Sequence, residues 1–577
     1  SPESRRGFFY CISKCNGLYN RGCKGENFML LLEVNNIKKY YADRLILDIK
    51  DFKAYYGEKI GIVGANGAGK TTLLDIIAGR NIPEEGSIKL YGEISYITQL
   101  DMEAASEVDN RMAKEFELYF NSLDTASGGE KTRFKIAESL SESSSILLAD
   151  EPTSNLDIQG IELLEKKLAG YKGLILIVSH DRELLDKLCS KIVEIEDGEL
   201  KQYSGSYSQY KLQKDMEFER SQFEYKQYLD NKRALEEAIK EKKNRATSMK
   251  KAPSRMGNSE ARLHKTGNQK AKANIDKAIK AMETRISKLE KKEKPKEQQN
   301  VIVDIQSAVK PVSRVLISGK GISKAFGSKE LFKDAEFEII NGSKTALLGG
   351  NGTGKSTLLE MIMKSDKSIK LANGVKLGYF SQGTDILKDD ETILENVMKE
   401  SIYPEHFVRT ILARLLFRRD DVHKKAGKLS GGERVRTCFA KIFCSDANVI
   451  VLDEPTNYLD ISSMEAVENA MRLHEGTILF ASHDRKLISS TADRIIFIED
   501  SRLNTFEGSY GEYVEYRKRS ADSVETERRR QKLLLDTRLS EILSRLSMPG
   551  KDDDVEQLDM EYKKILAEIR QLESGKI

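Results

Sequence analysis

The chain has 577 residues, of which 39% are hydrophobic and 32% charged, and its formal net charge is +3. This length predicts two or three domains. No apolar run of about 18 residues occurs, which excludes functions that need a transmembrane helix of the chain's own. The six cysteines do not form a disulfide framework, and Cys189, Cys438 and Cys444 are interpreted as core thiols of a reduced compartment.

Residues 1–28 differ in character from everything that follows. They lack the apolar core of a signal peptide and do not form a convincing helical pattern. Lys24-Gly25-Glu26 can be encoded by a purine-rich ribosome-binding sequence, two residues before Met29. We therefore expect 1–28 to be leader or vector-derived sequence and the native chain to start at Met29.

The first predicted domain spans 29–208 and contains a phosphate-binding loop. An apolar strand, Ile60–Val63, runs into the glycine-rich loop Gly64–Thr71, which a helix follows. In this context backbone N–H groups converge on phosphate oxygens at a helix N-terminus. Lys70 is assigned to the terminal phosphates, and the Thr71 hydroxyl is assigned to Mg²⁺. The predicted nucleotide-binding residues here are Gly64, Asn66, Gly67, Gly69, Lys70, Thr71 and Thr72.

Two further strands of this domain end on polar residues. SILLADEP predicts a buried strand ending in Asp150-Glu151, and ILIVSH predicts one ending at His180. Asp150 is assigned to the Mg²⁺ shell, and Glu151 to orienting or deprotonating the attacking water. His180 is assigned to the γ-phosphate. Chance surface acids are the alternative, but an apolar strand after a phosphate loop argues against it.

Between these motifs, Ser127-Gly128-Gly129 opens a predicted helix. A Ser-Gly-Gly helix start is a second anion site. A single domain cannot fold this helix start onto its own phosphate loop if both lie at the top of one sheet. The site therefore needs a partner domain.

Residues 209–300 are predicted to form a helical-hairpin linker with its tip at about 249–268. Helical periodicity covers Gln209 to about Ala246 and Ala271–Lys294, with breaks at Pro253, Gly257 and Gly267 between them. From Glu241 to Lys280 there are 12 Lys/Arg against three acids, a composition suited to a phosphate-lined RNA crevice. A solvated coiled-coil linker is the alternative. The predicted tip contacts are Lys250, Lys251, Arg255, Met256, Arg262, Leu263, His264 and Lys265.

The second predicted domain, 301–518, repeats the first. Ser127 to Asp150 and Ser430 to Asp453 are both 23 residues apart, and each aspartate precedes its histidine by 30. Such repetition indicates a duplicated domain. The matching nucleotide-binding residues are Gly349, Asn351, Gly352, Gly354, Lys355, Ser356, Thr357, Ser430, Gly431 and Gly432. The matching Mg²⁺ and catalytic residues are Ser356, Asp453, Glu454 and His483.

The last segment, 519–577, is predicted to be a helical extension. A helix over Ser523–Leu546 breaks at Met548-Pro549-Gly550, and a second runs from about Val555 to Glu573. We expect these two helices to pack as a hairpin, because apolar residues recur at helical spacing in both. The predicted contacts join Leu533, Leu534, Leu539 and Leu543 to Leu558, Tyr562, Ile565 and Ile569.

Together the two phosphate loops, the SGGE runs, DEPTSNLD, DEPTNYLD and the two histidines resemble the nucleotide-binding domains of ABC ATPases, over Met29 to about Lys518. The resemblance implies ATP and Mg²⁺ as cofactors and two domains that close head to tail, with Ser430 facing the loop of Lys70 and Ser127 that of Lys355. It also implies that Tyr41 and Phe326 stack on adenine and that Gln99 and Gln382 contact nucleotide and Mg²⁺. The fold class is thus α/β: two tandem P-loop ATPase domains, a helical-hairpin linker and a C-terminal helical hairpin.

Two fused domains joined by a long basic hairpin resemble the ABC-F subfamily. The tip string KAPSRMGNSEARLHK is most similar to antibiotic-resistance members of the Vga, VmlR and CplR type. This resemblance implies a cytoplasmic ATPase that binds the bacterial ribosome at its E site, contacting 23S rRNA and the P-site tRNA. It would insert its linker near the peptidyl-transferase centre and protect against pleuromutilins, lincosamides and streptogramin A. No obligate oligomer is implied.

Two other functions remain open. A housekeeping ABC-F translation factor would act on stalled or initiating ribosomes without a drug. The ATPase of a drug exporter would pair with separate membrane subunits, but that function predicts a short connector between the domains. Here the connector is roughly 90 residues long and basic at its tip, an arrangement that favours a nucleic-acid partner.

Overall fold

The structure is a computed structural model of the chain. It describes residues 19–21, 27–98, 110–116, 118, 128–141, 144–248, 258–289, 311–327, 329–381, 386–418, 420–547 and 555–573. The described chain forms two compact units, one of Ser1–Ser154 and Leu163–Ile302 and the other of Asn155–Glu162 and Val303–Ile577. Within the described residues, no helix is long and apolar enough to cross a membrane. Most of the predicted leader, 1–18 and 22–26, lies outside the described residues.

The first unit is built on two sheets. Its strands are β1 Tyr19–Arg21, β2 Asn27–Tyr41, β3 Arg44–Tyr55, β4 Lys59–Val63, β5 Glu85–Leu90, β6 Ile94–Ile97, β7 Ile146–Asp150, β8 Leu174–Val178, β9 Lys191–Glu196 and β10 Glu199–Ser204. Its helices are α1 Lys70–Ile77, α2 Asn110–Glu115, α3 Gly128–Ser141, α4 Ile158–Gly170, α5 Arg182–Leu188, α6 Tyr207–Ser248 and α7 Asn258–Lys288. The start of α4, up to Glu162, belongs to the second unit. All five residues of β7 and of β8 are buried, as expected of central strands covered on both faces.

The strand order of the larger sheet positions the functional loops. It is β10-β9-β4-β8-β7-β6, with β10 antiparallel and the other five strands parallel. A smaller antiparallel sheet joins β1, β2, β3 and β5. Because the parallel strands share a direction, their carboxyl ends lie at one edge, where ligands of open α/β sheets bind.

The second unit repeats this arrangement. Its strands are β11 Val315–Phe326, β12 Lys329–Ile340, β13 Lys344–Leu348, β14 Ile369–Leu371, β15 Leu377–Phe380, β16 Val449–Asp453, β17 Thr477–Ala481, β18 Arg494–Glu499 and β19 Arg502–Glu507. Its helices are α8 Lys355–Met363, α9 Ile393–Met398, α10 Glu405–Arg414, α11 Gly431–Cys444, α12 Ile461–Leu473, α13 Arg485–Thr491, α14 Tyr510–Ser547 and α15 Val555–Glu573. The large sheet runs β15-β16-β17-β13-β18-β19. The predicted fold class is confirmed.

The linker is a pair of long helices, α6 and α7, but the predicted bounds of the second helix were wrong. Helix α7 begins at Asn258 instead of Ala271, continues through Gly267 and ends at Lys288 instead of Lys294. Its helical pattern tolerates one glycine, which costs only about 1 kcal/mol relative to alanine. Of the predicted tip, Arg262, Leu263, His264 and Lys265 therefore lie in a helix, while Lys250, Lys251, Arg255 and Met256 lie outside the described residues.

The first linker helix is longer than predicted and less covered. Its 42 residues span about 63 Å at 1.5 Å per residue. Leu212, Met216 and Phe223 have exposed fractions of 60%, 63% and 62%, whereas Ile239, nearer the tip, is buried. Helix α7 ends alongside Leu235, so among the described residues α7 does not extend alongside Leu212, Met216 and Phe223.

The C-terminal helices form a hairpin, with one error in the predicted contact face. Helix α14 begins at Tyr510, well before the predicted Ser523. Leu533, Leu534 and Leu543 are exposed at 68%, 63% and 43%, so the contacts predicted for them were wrong. The 3.6-residue period selects a different set. The packed residues are Leu535, Leu539, Ile542, Leu546, Leu558, Tyr562, Ile565 and Ile569.

A buried histidine makes the stability of the second unit depend on pH. His474 follows α12, packs edge-on against Phe443 with ring centroids 5.3 Å apart, and neither ring nitrogen finds a hydrogen-bond partner among the described residues. Burial, helped by nearby Lys344, lowers the pKa of His474 to about 4. The unfolded chain, with an ordinary pKa near 6.5, therefore binds the proton more readily.

We expect His474→Leu to remove this pH dependence. Above pH 6.5 His474 does not lower the free energy of unfolding of the native chain. As the pH drops towards 4, the free energy of unfolding falls by up to about 3 kcal/mol, because the unfolded chain binds the proton first. Urea unfolding at pH 7 and pH 4.5 measures the difference. The exposed His406 supplies the control, His406→Leu, which should decline like wild type. An equal decline in His474→Leu would contradict the assignment.

Candidate nucleotide-binding and catalytic sites

In the first unit, the phosphate loop connects β4 to α1. The loop ends at Gly69, whose φ of 99° puts it in the left-handed region just before α1 begins. A Cβ there would also lie 2.8 Å from Leu47, so only glycine is accommodated. The ammonium of Lys70 turns back over the loop and donates to the carbonyls of Gly64 at 2.8 Å and Ala65 at 3.1 Å. This is the position from which it can reach bound phosphates.

The second unit builds the same loop between β13 and α8. Gly354 precedes α8 with a φ of 105°. Lys355 Nζ donates to the carbonyl of Gly349 at 2.8 Å and to that of Gly350 at 3.2 Å. Both sequence-predicted loops thus place a buried lysine and a helix N-terminus around one space, which suits a polyphosphate.

The carboxyl groups assigned to Mg²⁺ stand beside the hydroxyl groups assigned to the same ion. Asp150 closes β7 and accepts a hydrogen bond from Thr71, and Asp453 closes β16 and accepts one from Ser356. Burial raises the pKa of both aspartates above the ordinary value.

One oxygen of each aspartate, Oδ2 of Asp150 and Oδ1 of Asp453, is buried without a hydrogen-bond partner among the described residues. Such oxygen donors fit Mg²⁺. When bound, the ion would neutralise charge on the phosphates.

Glu151 occupies a strained position at the end of β7, with its Oε1 atom buried. Its φ of 49° is unusual for a residue with a side chain, and such strain clusters at functional sites. Oε2 accepts the backbone N–H of His180 at 3.2 Å, and the imidazole Nε2 lies 3.4 Å from Oε1. Burial raises the pKa of Glu151 to about 8, which makes its carboxylate form a stronger base towards water than an ordinary glutamate.

The second unit repeats this pair at Glu454 and His483. Glu454 has a φ of 48° and accepts the backbone N–H of His483 at 3.3 Å. Burial raises the pKa of Glu454 to about 7 and, with Lys355 adding to the effect, lowers that of His483 to about 3. The neutral imidazole therefore accepts a hydrogen bond from Lys355 Nζ at 3.0 Å, and the histidine–glutamate contact is not an ion pair.

The aromatic residues assigned to adenine lie in the open at the ends of two strands. Tyr41 ends β2 and is 52% exposed, and Phe326 ends β11 and is 59% exposed. An ammonium stands 5.7 Å from each ring centroid, Lys39 over Tyr41 and Lys324 over Phe326. Both rings leave area for a base to stack, in keeping with their predicted role.

The second unit shows the predicted Ser-Gly-Gly helix start in full. The Ser430 hydroxyl caps α11 by accepting the backbone N–H of Glu433, and the Glu433 carboxylate accepts the backbone N–H of Ser430. This capping box leaves the N–H groups of Gly431 and Gly432 at the open end of the helix. In the first unit α3 begins at Gly128, whereas Ser127, Gln99 and Gln382 lie outside the described residues. The pairing of each serine with the opposite loop stays a prediction.

Sequence reasoning missed two residues that contact the second phosphate loop. The second unit includes Asn155–Glu162. Within it, the backbone N–H of Asn351 donates to Asp157 Oδ2 at 3.2 Å, and the Asn351 side chain donates to the carbonyl of Asn155 at 2.6 Å. The signal available in the sequence was the repeat itself, since DEPTSNLD and DEPTNYLD end on equivalent aspartates, Asp157 and Asp460.

Comparison with known proteins agrees with this geometry. A family model described as "ABC transporter" matches residues 47–154 and 332–457, and another with the same description matches 193–261. The Erythromycin resistance ATP-binding protein MsrA of Staphylococcus epidermidis is 36% identical over 477 residues, covering 80% of this chain and 96% of MsrA. The Ribosome protection protein VmlR of Bacillus subtilis is 28% identical over 555 residues, covering 94% and 98%.

Among solved structures, the fold resembles that of the RNase-L Inhibitor. The TM-score is 0.55 at 19% identity, covering 83% of this chain and 90% of that one. Two phosphate loops, two acidic pairs at strand ends and a histidine beside each pair define a tandem ATP-binding cassette ATPase. The particular branch follows from MsrA and VmlR: the chain belongs to the ABC-F family. It is an ATP-hydrolysing enzyme.

Proposed function

We propose that this ABC-F ATPase is a cytoplasmic protein that binds the bacterial ribosome at the E site and protects it from antibiotics acting near the peptidyl-transferase centre. The observation that carries the proposal is the linker. Along the chain, two helices of 42 and 31 residues follow the first ATPase domain and precede the second. Helix α6 alone is about 63 Å long, far longer than binding of ATP requires.

Basic residues of the linker support an RNA partner. Lys243, Lys272 and Lys280 line one groove between α6 and α7, together with the acids Asp276 and Glu283. Among the residues beyond it towards the tip, cations dominate, as counted from the sequence. Such a surface binds phosphates without reading sequence, and its affinity falls as salt rises. We include 23S rRNA and the P-site tRNA in the proposed contacts.

The relatives favour a protective role over a general one. MsrA is named for erythromycin resistance and VmlR for ribosome protection. We propose pleuromutilins, lincosamides and streptogramin A as the drugs, from the tip sequence, and the name of MsrA adds erythromycin to those worth testing. The tip residues proposed to act are Lys250, Lys251, Arg255, Met256, Arg262, Leu263, His264 and Lys265.

Inhibitory concentrations in a susceptible host test the proposal. Expression of the chain should raise tolerance to at least one of these four drug classes, because a protected ribosome continues to translate. A control with Lys70→Ala and Lys355→Ala, expressed at the same level, should give no protection since neither phosphate loop holds ATP. If expression does not raise drug tolerance but the protein co-sediments with ribosomes, the housekeeping factor is favoured. If it neither raises tolerance nor co-sediments, the result counts against a ribosomal role.

The exporter ATPase is the second candidate function. The observation that supports it is the description of the family models as "ABC transporter". An exporter function does not explain the long helices α6 and α7. Accumulation of labelled drug separates the two functions. Protection at unchanged intracellular drug supports the ribosome, and protection through lowered accumulation supports export.

A further inference from the structure

The two ATPase units provide an internal comparison, because one equivalent helix leaves each of them. Helix α6 leads from the first unit into the linker, and α14 leads from the second unit into the C-terminal hairpin. Equivalent positions are 303 residues apart throughout this region, as His180 and His483 are. The attachment of each helix to its own unit can therefore be compared residue by residue.

Helix α6 begins against a carboxylate supplied by α5. Asp186 accepts the backbone N–H of Ser208 at 2.7 Å and the Ser208 hydroxyl at 3.0 Å. Ser208 is the second residue of α6, where N–H groups have no partner within the helix and the helix dipole favours a negative charge. Asp186 thus caps the linker helix from a neighbouring element.

A second carboxylate holds the next turns of α6. Glu194 of β9 is buried and accepts hydrogen bonds from the Tyr210 hydroxyl at 2.9 Å, from Tyr203 at 3.4 Å and from Lys214 Nζ at 2.7 Å. Tyr203 and Tyr210 also pack edge to face. Although burial disfavours its charge, hydrogen bonds to Glu194 and Glu196 raise the pKa of Lys214. The root of α6 is thus fixed by charged hydrogen bonds, which are stronger than neutral ones.

The second unit replaces both carboxylates. Ser489 stands where Asp186 stands, and Phe497 stands where Glu194 stands. Phe497 packs against Tyr513 with ring centroids 5.3 Å apart, so an aromatic contact replaces the hydrogen bonds of Glu194. The equivalent of the Lys214–Glu196 pair is kept, since Arg517 donates to both carboxylate oxygens of Glu499 at 2.7 Å. Both exit helices have a local pair at their start, Ser206 with Gln209 at α6 and Ser509 with Glu512 at α14, but Ser489 brings no carboxylate to α14.

Both carboxylates in the first unit are also one step from the ATP site. Helix α5 starts two residues after His180, with Asp181 as its cap, so it moves with the residue assigned to the γ-phosphate. Glu194 is the strand neighbour of Val63, the residue directly before the phosphate loop. A shift at either place would reach α6 through a single element, α5 or β9.

We infer that Asp186 and Glu194 are positioning residues that couple nucleotide binding in the first ATP site to the start of the linker helix. Neither residue belongs to the phosphate loop or to the acidic pair of the first unit. The second unit lacks both residues, so its exit helix should respond less. The inference concerns one unit of the chain and needs no ribosome, so it stands or falls separately from the proposed function.

Hydrogen exchange of the full chain, measured with and without Mg²⁺ and a non-hydrolysable ATP analogue, tests the coupling. In wild type the analogue should slow exchange in the first turns of α6, residues 207–216, by roughly fivefold, the factor that one helix cap typically contributes. The matching peptide of α14, residues 510–519, is the internal control and should change less. Asp186→Ser, which copies the second unit, should abolish the difference in α6. Glu183→Gln, a substitution elsewhere on α5, should retain it.

The outcomes separate coupling from simple structural support. If Asp186 only stabilises the helix, Asp186→Ser will speed exchange equally in both states and leave the nucleotide-dependent difference intact, which overturns the proposal. An equal response of α6 and α14, or no response in wild type, overturns it too. Should Asp186→Ser fail to fold, the double variant Glu194→Phe/Tyr203→Phe carries residues that the second unit already accommodates at Phe497 and Phe506, and it should also lose the response.

Discussion

Replacement of both Glu151 and Glu454 by glutamine is expected to lower ATP turnover by roughly 10²- to 10⁴-fold, the range that a general base contributes. Each carboxyl is buried, and its pKa is raised by that burial, to about 8 at Glu151 and to about 7 at Glu454. Glutamine keeps the shape and still accepts the histidine N–H that each carboxyl accepts now, but it cannot take a proton from water. Binding of ATP should survive because Lys70, Lys355 and both loops are untouched.

Turnover and retention of labelled ATP should be measured together in the double variant. The single variants show whether one site hydrolyses without the other. Glu338→Gln, a change at an exposed strand position, controls for the loss of one charge and should behave like wild type. Wild-type turnover in the double variant would reject Glu151 and Glu454 as the catalytic pair. Loss of ATP retention would instead mean that the carboxyls hold the loop in shape.

The strand–loop–helix context of each phosphate loop could be predicted from the sequence because the motif is a short local structure. A phosphate loop between an apolar strand and a helix has one workable geometry, and the structure places Gly69 and Gly354 at matching left-handed positions before α1 and α8. The repeat spacing predicted the second site from the first. What the motifs did not contain was the strained backbone of Glu151 and Glu454, which depends on the strands around them.

The linker and the tail were harder to predict because their helices carry apolar residues on more than one side. Gly257 and Gly267 were weighed as breaks, yet α7 runs through Gly267, since neighbouring good helix formers offset one glycine. In the tail, Leu533, Leu534 and Leu543 suggested a packing face, but leucines on three sides of a helix cannot all face one partner. Only the partner helix selects Leu535 and its companions, and the sequence of one helix does not state that choice.

The coupling residues could not have been found from the sequence at all. Asp186 and Glu194 read as ordinary charges on a short helix and a strand, and a charge alone is usually a solvated face. The role proposed for them rests on their hydrogen bonds with Ser208 and Tyr210, which the fold brings to them from α6. The difference between the two units at these positions stands out because the surrounding strands and helices are duplicated.

Replacement of Ala252–His264 by a short Gly/Ser loop is expected to abolish drug tolerance while leaving ATPase activity unchanged. The predicted ATP sites lie at the carboxyl ends of the parallel strands in the two units, and none of the described residues that form them belongs to α6 or α7. Protection is proposed to need side chains at the far end of the linker. Because α7 begins at Asn258, this replacement also removes the first turns of α7, so a second variant must separate the loss of side chains from the loss of helix.

That second variant is Arg262→Ala/Leu263→Ala/His264→Ala, which retains helix-forming residues throughout α7. It should lose drug tolerance almost as fully as the loop replacement while keeping salt-sensitive ribosome co-sedimentation. Lys277→Ala/Lys280→Ala, at exposed positions further along the same helix, should do the opposite: each lost phosphate contact weakens ribosome binding and lowers its salt slope by about 1, with the drug spectrum unchanged. Full drug tolerance in both tip variants would make the tip a spacer, since a spacer needs length and charge but no particular side chains.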